Sequence, residues 1–408
     1  MSRKLTRLAY LTAALFPTLL ATNASADEVF KPTKAISLPA GQKINAFDIS
    51  YVDPVIGVYI LGDRTNKTVD VVDTDTNALS AQLTATPAFV GVAGSCASGN
   101  VNDCSGPDGV IVIRHREVWA GDGDSTVKVI DLFSRATTHV ISTGGKFRAD
   151  ELCWDPREKL VMVANNADDP PFASIISTED YTVKAQIKFD GTNGAPKSNN
   201  GAEQCQWSHR TGKFYISIPG IDGQPAGTGG VAVIDPKTRN VETTFIVPLA
   251  SCAAPQGMAL GPDNQMLLGC NGAGGANHPT AIIDERNGKV IRTLANQSGA
   301  DMVWFNPGDG HYFLARSSAV GPTQLLGVVD SDGIRQDQSI ATTTSPGAPN
   351  VHSVAADPIL NQVYVAIPGA KSTVCSAAGG SDANGCIAVF TTPNDDRPER
   401  LADRDRGR

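Results

Sequence analysis

Seven polar side chains, Asp48, Asp108, Asp150, Glu203, Gln256, Asp301 and His352, stand at the head of seven short apolar runs in this 408-residue sequence. Five are acids, one an amide and one an imidazole, so each offers an oxygen or nitrogen lone pair. An acid heading an apolar run is costly to bury unless something pairs with it. If the seven converge, like charges about 4 Å apart repel by about 1 kcal/mol in water and about 4 kcal/mol at an effective dielectric near 20. Several such pairs rival a domain's whole stability of roughly 5–15 kcal/mol. The set therefore calls for a divalent cation, shared protons or a positively charged ligand. A bound metal is the simplest single solution, with Arg148 and Arg114 nearby in sequence as partial counter-charges. Mixed carboxylate and imidazole ligands suit manganese, iron or zinc, whereas carboxylate and amide oxygens alone suit calcium. Such a cation could polarise a carbonyl or activate water, with His352, Glu203 or Asp301 as the catalytic acid or base. That chemistry is hydrolysis of an ester or lactone, or a lyase or isomerase reaction, on a small molecule. The alternative is a non-catalytic protein whose acids hold a cationic ligand or a structural ion.

The elements that must position these residues repeat along the chain. An apolar strand, a turn and a second strand recur as "AFDISYVDPVIGVYILG", "DELCWDPREKLVMVANN", "AEQCQWSHRTGKFYISIPG", "PQGMALGPDNQMLLGCNG", "ADMVWFNPGDGHYFLARS" and "VHSVAADPILNQVYVAIPG". A degenerate copy, "PDGVIVIRHREVWAGDG", fills the second place and needs a two-residue gap to align Asp108. A third strand recurs as "VDVVDTDTNA", "VKVIDLFSRA", "VAVIDPKTRN", "AIIDERNGKV" and "LGVVDSDG". Copies spaced by roughly fifty residues, each with about four strands, have the size of propeller blades. The expectation is an all-β fold, a single seven-bladed β-propeller of four-stranded antiparallel blades over residues 27–392. The segment "TKAISLPA" lacks preceding partners and is expected to close the ring as an outer strand of the last blade. First strands line a propeller's channel, so the seven side chains form an axial ring. Alternation along a strand then sends Glu151 toward a neighbouring blade or solvent; with reversed parity, Glu151 and Gln204 replace Asp150 and Glu203. Trp154, Trp207 and Trp304 are expected to pack between blades.

These repeats resemble those of the YVTN-type periplasmic seven-bladed propellers, which likewise read apolar strand, "DP" or "SP" turn, strand, "VID". The resemblance covers nearly the whole chain after residue 26 and speaks to fold far more than to function. Many proteins of that type are scaffolds, and the large subunits of amine dehydrogenases are propellers that present a partner, so a periplasmic protein partner is one implication. The gluconolactonase group is distantly similar in having a propeller with one axial divalent ion. Its Glu, two Asn and Asp on six blades differ from the set here, so its activity does not transfer.

The ends of the sequence bear on compartment. Arg3, Lys4 and Arg7, the apolar "LAYLTAALFPTLLA" and "ASA" read as a signal peptide over residues 1–26, with a core too short to span a membrane. Its removal takes the formal charge from −8 to −11, which argues against nucleic acid or an anionic membrane surface as partner. Eight cysteines in an exported chain favour disulfides. Proximity in sequence suggests Cys96–Cys104, Cys375–Cys386, Cys252–Cys270 and Cys153–Cys205, out of 105 possible pairings. The closing "PNDDRPERLADRDRGR", residues 393–408, reads as a charged disordered tail. The placement expected is periplasmic or secreted. "DTDTN" and "GDGD" echo calcium loops but lack the glycine and closing Glu of an EF-hand, so they read as turns. A Gly-x-Ser-x-Gly elbow and a Cys-x-x-Cys-His haem motif are both missing.

Overall fold

A computed structural model describes residues 29–272, 279–317, 324–333, 337–343, 351–370 and 372–392. Seven four-stranded antiparallel sheets form a seven-bladed β-propeller. In the first six, the strands add outward in chain order. The first strands are Ser50–Asp53, Val110–Ile113, Leu152–Asp155, Cys205–Ser208, Pro255–Leu260, Val303–Asn306 and Val354–Asp357. The seventh sheet ends in Cys386–Thr391, and its fourth place is taken by Lys31–Ile36 from the other end of the chain. That closing strand runs antiparallel, with Lys31 opposite Thr391 and Ile36 opposite Ile387. Just ahead of it, the Phe30 ring meets Phe313 of blade 6 edge-on at 5.2 Å. The closing segment thus grips two blades. The proposed signal peptide and charged tail lie outside the described residues.

The recurring Asp, Asn and Ser explain why the chain turns where it does. Asp53, Asp155 and Asp357 end first strands, and their Oδ1 atoms accept the backbone N–H two residues on at 3.0, 2.8 and 2.8 Å. Asn306 and Ser208 do the same in blades 6 and 4. These short side chains mimic a backbone turn. The Asp of "VID" works likewise: Asp73, Asp235 and Asp284 bond backbone N–H groups two or three residues on at 2.7–2.9 Å. The "DTDTN" acids are therefore turn formers.

Between turns, each strand alternates its side chains between two neighbouring blades. Seven apolar clusters result, one at each blade interface. Tyr59 of blade 1 stacks on Tyr364 of blade 7 at 4.8 Å across the closure. Tyr215 carries its hydroxyl over to the Glu285 carbonyl of the next blade at 2.9 Å. Four cysteine pairs stand at bonding distance: Cys96–Cys104, Cys153–Cys205, Cys252–Cys270 and Cys375–Cys386. These are the pairs that proximity in sequence suggested. Cys153–Cys205 joins the first strands of blades 3 and 4 beside the channel, across a separation of 52 residues.

Replacing both Cys153 and Cys205 by alanine releases the longest of these loops. The expected cost is about 2–4 kcal/mol, mostly through a freer unfolded chain. Urea unfolding of the double variant against wild type measures it; an unchanged midpoint would contradict the bond.

Candidate functional site

The axial residues occupy equivalent places in their blades. Asp48, Asp108, Asp150, Glu203 and Asp301 each donate their backbone N–H to a second-strand carbonyl of the same blade, at 2.8–3.0 Å. Asp108, which needs a gap in sequence, is thus in register. Gln256 lies in a bulged stretch of the fifth first strand, and His352 lies just before the seventh. Glycines let neighbouring blades close on this ring. A methyl group on Gly109 would lie 2.2 Å from the Asp150 carbonyl oxygen, and one on Gly257 would lie 2.0 Å from that of Asp301. Only glycine permits such an approach.

Charge divides the ring into two halves. On blades 1 to 3, Arg64 bonds both Asp48 and Asp108, and its Nη1 donates to Asn102 Oδ1. Arg148 Nε donates to Asp150 Oδ2 at 2.8 Å, while its Nη1 donates to the Asn102 carbonyl at 3.3 Å. Asn102 belongs to a short 3-10 turn, Val101–Cys104, in the loop closed by Cys96–Cys104. That loop therefore ties both guanidiniums together. Burial alone would raise the Asp48 carboxyl, but Arg64 and the His352 hydrogen bond hold it well below the usual range. Burial holds Asp108 well above that range despite Arg64, and its Oδ2 has no partner among the described residues.

The other half has no guanidinium of its own. Glu203, Asp301 and Glu151 form no ion pair among the described residues. Burial, then repulsion from Asp150 and Asp301, pushes Glu203 up to about 8, against a hydrogen bond from Asn166. Burial likewise pushes Asp301 up to about 6, offset in part by His352. Glu151 is raised well above the carboxylate range by burial and by Asp150, Glu203, Asp301 and Asp48. His352 Nε2 donates to Asp48 Oδ1 at 3.0 Å, since that carboxylate is ionised, and the imidazole stacks on Phe47 at 5.2 Å. Burial pulls its imidazole down, yet Asp48 and Asp301 outweigh that and raise it. Gln256 is bonded by Asn271.

A cavity of about 290 Å³ continues along the channel from the acidic end. Its walls include Glu151 and Gln204, then Tyr51, Trp154, Trp207, Trp304 and Phe305. Tyr51 and Trp304, from the two blades that flank blade 7, meet edge-on at 5.5 Å. The tryptophans do pack against interface clusters, as expected, but they also line the channel.

Two expectations need correction. Glu151 faces neither solvent nor a separate blade pocket; it is 7% exposed and borders the axial cavity beside Asp150. Both residues precede the regular strand, which begins at Leu152. Moreover, a propeller channel runs along sheet edges, so both parities of the innermost strand flank it. Arg114 does not serve the ring, because its guanidinium bonds Thr178 Oγ1 at 2.8 Å and the Thr178 carbonyl at 3.1 Å. The residues that sequence reasoning missed are Arg64, Asn166 and Asn271. Each is the first residue past a second strand, in blades 1, 3 and 5. Reading that repeat position in "LGDR", "ANN" and "GCN" would have found them.

Six acids thus share one end of the channel with two guanidiniums and one imidazole. Among the described residues, no three His, Cys, Asp or Glu side chains converge to hold a metal ion. Nor is any described helix long and apolar enough to cross a membrane.

No protein-family model matches the chain, and comparison with curated proteins finds no relative. Solved structures do match, among them one titled "Crystal Structure of Mitotic Checkpoint Complex". It shares 12% sequence identity at a TM-score of 0.57, covering 95% of this chain and 98% of that one. At that identity the likeness shows the propeller fold alone.

Two outcomes test this charge arrangement. Arg64→Met leaves Asp48 and Asp108 buried with their main counter-charge gone, at a cost of about 3–5 kcal/mol at neutral pH by denaturant unfolding. The loss should shrink at acid pH, where protonation removes the orphaned charge. In wild type, Asp301 and Glu203 bind protons more tightly folded than unfolded, rising from 3.8 to about 6 and from 4.5 to about 8. Their contribution is complete below pH about 4 and is lost as pH rises through about 6 and then 8. Glu203→Gln should flatten the later part of that decline, and a parallel pH profile would refute the shift.

Proposed function

We propose that this protein is a ligand-binding propeller whose axial mouth takes a small cation. The observation that supports this reading is the unequal pairing of the ring. Arg64 and Arg148 engage Asp48, Asp108 and Asp150, while Glu151, Glu203 and Asp301 have no ion-pair partner among the described residues; burial raises Asp108 and Asp150 as well as these three, so ion pairing is what divides the ring. A cation entering there displaces protons and gains the charge of three buried carboxylates at low local dielectric. A periplasmic or secreted setting fits the four cysteine pairs, and with it the likeness of the repeats to the YVTN type.

A second reading has a specific observation behind it. Glu203, held near 8, has the proton affinity of a general acid or base working close to neutral pH. With His352 and Asp301 it would then serve a divalent ion of calcium, manganese, iron or zinc in a metal-dependent hydrolase or lyase. Glu203 and Asp301 would be the principal ligands, since Asp48, Asp108, Asp150 and Gln256 already have partners. The ion would supply the Lewis acid, and the protein residues would hold and move the proton.

Calorimetric titration with tetramethylammonium, Ca²⁺ and Mn²⁺ separates the readings. At least one of these should bind wild type with release of protons. Glu203→Gln and Asp301→Asn should each weaken binding about tenfold or more, yet be at least as stable as wild type at neutral pH in the absence of added cation. Preference for the metals together with ester or lactone hydrolysis would establish the second reading. Absence of binding by all three would refute both.

A further inference from the structure

The aromatic cavity behind the acids is larger than an inorganic ion requires. We propose that it holds the hydrophobic body of an organic ammonium ion, whose cationic head meets Glu151 at the acidic end. This rests on the reading of the mouth as a cation site, and adds the class of cation.

The register of the first strands sets the arrangement. Glu151 is one residue past the ring position, and Trp154 and Trp207 are four past it. At about 3.3 Å per residue, these tryptophans stand roughly 13 Å beyond the ring position and roughly 10 Å beyond Glu151. A molecule reaching from one to the other needs a charged end and an apolar end. Glu151 supplies the anionic end once an entering cation displaces its proton: it is 7% exposed, borders the cavity, and its carboxyl has no hydrogen-bond or ion-pair partner among the described residues. The aromatic faces of Trp154, Trp207 and Trp304 supply the other, attracting both apolar groups and the diffuse positive charge of alkylated nitrogen.

The remaining polar wall groups argue against a neutral polyol. Gln204 Oε1 accepts from the Met258 N–H at 2.6 Å, and Gln206 Nε2 donates to the Met258 carbonyl at 3.2 Å. Ser50 Oγ is taken by Ser353 Oγ at 2.8 Å. One atom of each amide and that hydroxyl are thus engaged in joining blades, while Trp154 Nε1 and Trp207 Nε1 are buried with no partner among the described residues. An anion would face the acids. A bare metal ion would gain nothing from the tryptophans. The volume of about 290 Å³ lies at the small end of ligand pockets, enough for one ring or a short chain.

Benzyltrimethylammonium is a suitable probe because its charge does not vary with pH. Three of the four tryptophans line the cavity, and the fourth, Trp119, is buried in an interface, so tryptophan emission reports occupancy. The probe should quench that emission and bind about tenfold or more tightly than tetramethylammonium. Its uncharged counterpart, 3-phenylpropan-1-ol, should bind at least tenfold more weakly than the probe. Trp304→Leu should remove the gain from the benzyl group while keeping tetramethylammonium binding. Trp207→Leu provides a second variant should Trp304→Leu fail to fold. Glu151→Gln should remove the preference over the alcohol. If benzyltrimethylammonium binds no more tightly than tetramethylammonium, this inference is overturned and the cation mouth stands. Equal binding of the alcohol would overturn it by showing an apolar cavity with no role for charge. If tetramethylammonium and the metal ions also fail to bind, the mouth falls with it.

Discussion

Each blade buries both faces of its sheet against neighbours, so only sheet edges remain to form the axis. That constraint governs the rest of the molecule. Apolar side chains of either parity are absorbed by the seven interfaces. What reaches the channel is set by position along the first strand. The opening residues collect acids at one end; residues three and four steps on collect aromatic rings. Crowding charge at an axis is expensive, and two guanidiniums, one just past a second strand and one just before a first strand, meet part of that cost. The remaining carboxyls meet it by keeping their protons.

The two arginines differ in how they arrive. Arg64 follows a second strand and lies between the first two blades, whereas Arg148 precedes a first strand and is held by the loop bearing Asn102. Because Asn102 touches both, the charged half of the mouth is a single bonded unit spanning three blades. On blades 3 to 6 the ties are of another kind: Cys153–Cys205 joins two first strands, Gln204 and Gln206 bond Met258 of the next blade, and Asn271 bonds Gln256. Among the described residues no guanidinium is ion-paired to Glu203 or Asp301 there.

Much of the fold was legible because propeller blades repeat their turn chemistry. Asp53, Asp155 and Asp357 mark the same bend, and the alignment on that bend put Asp48, Asp150, Glu203 and Asp301 into equivalent places. The closing strand was legible because an unpaired strand at one end needs an edge at the other. Arg64 was not, since its repeat position holds Arg, Asp, Asn, Ser or Pro in different copies and only contact gives it meaning. Glu151 was misdirected by alternation, a rule about sheet faces applied where an edge decides. The aromatic lining escaped notice because interface and channel compete for the same side chains. Trp154, Trp207 and Trp304 serve both.

The closing strand also has a bearing on how the chain is made. Ile36 finds its partner, Ile387, only after almost the entire polypeptide has been synthesised. Blades can assemble in order as they emerge, but the first segment must wait, and until then the last-formed sheet has no outer edge to offer it. Contacts so distant in sequence carry a large loop-closure cost and tend to form late. The ring is thus sealed as a final event, and the axial mouth reaches its full crowding of charge only at that moment. A chain truncated before Cys386 would expose the apolar sides of its terminal blades and lack a place to dock its own beginning.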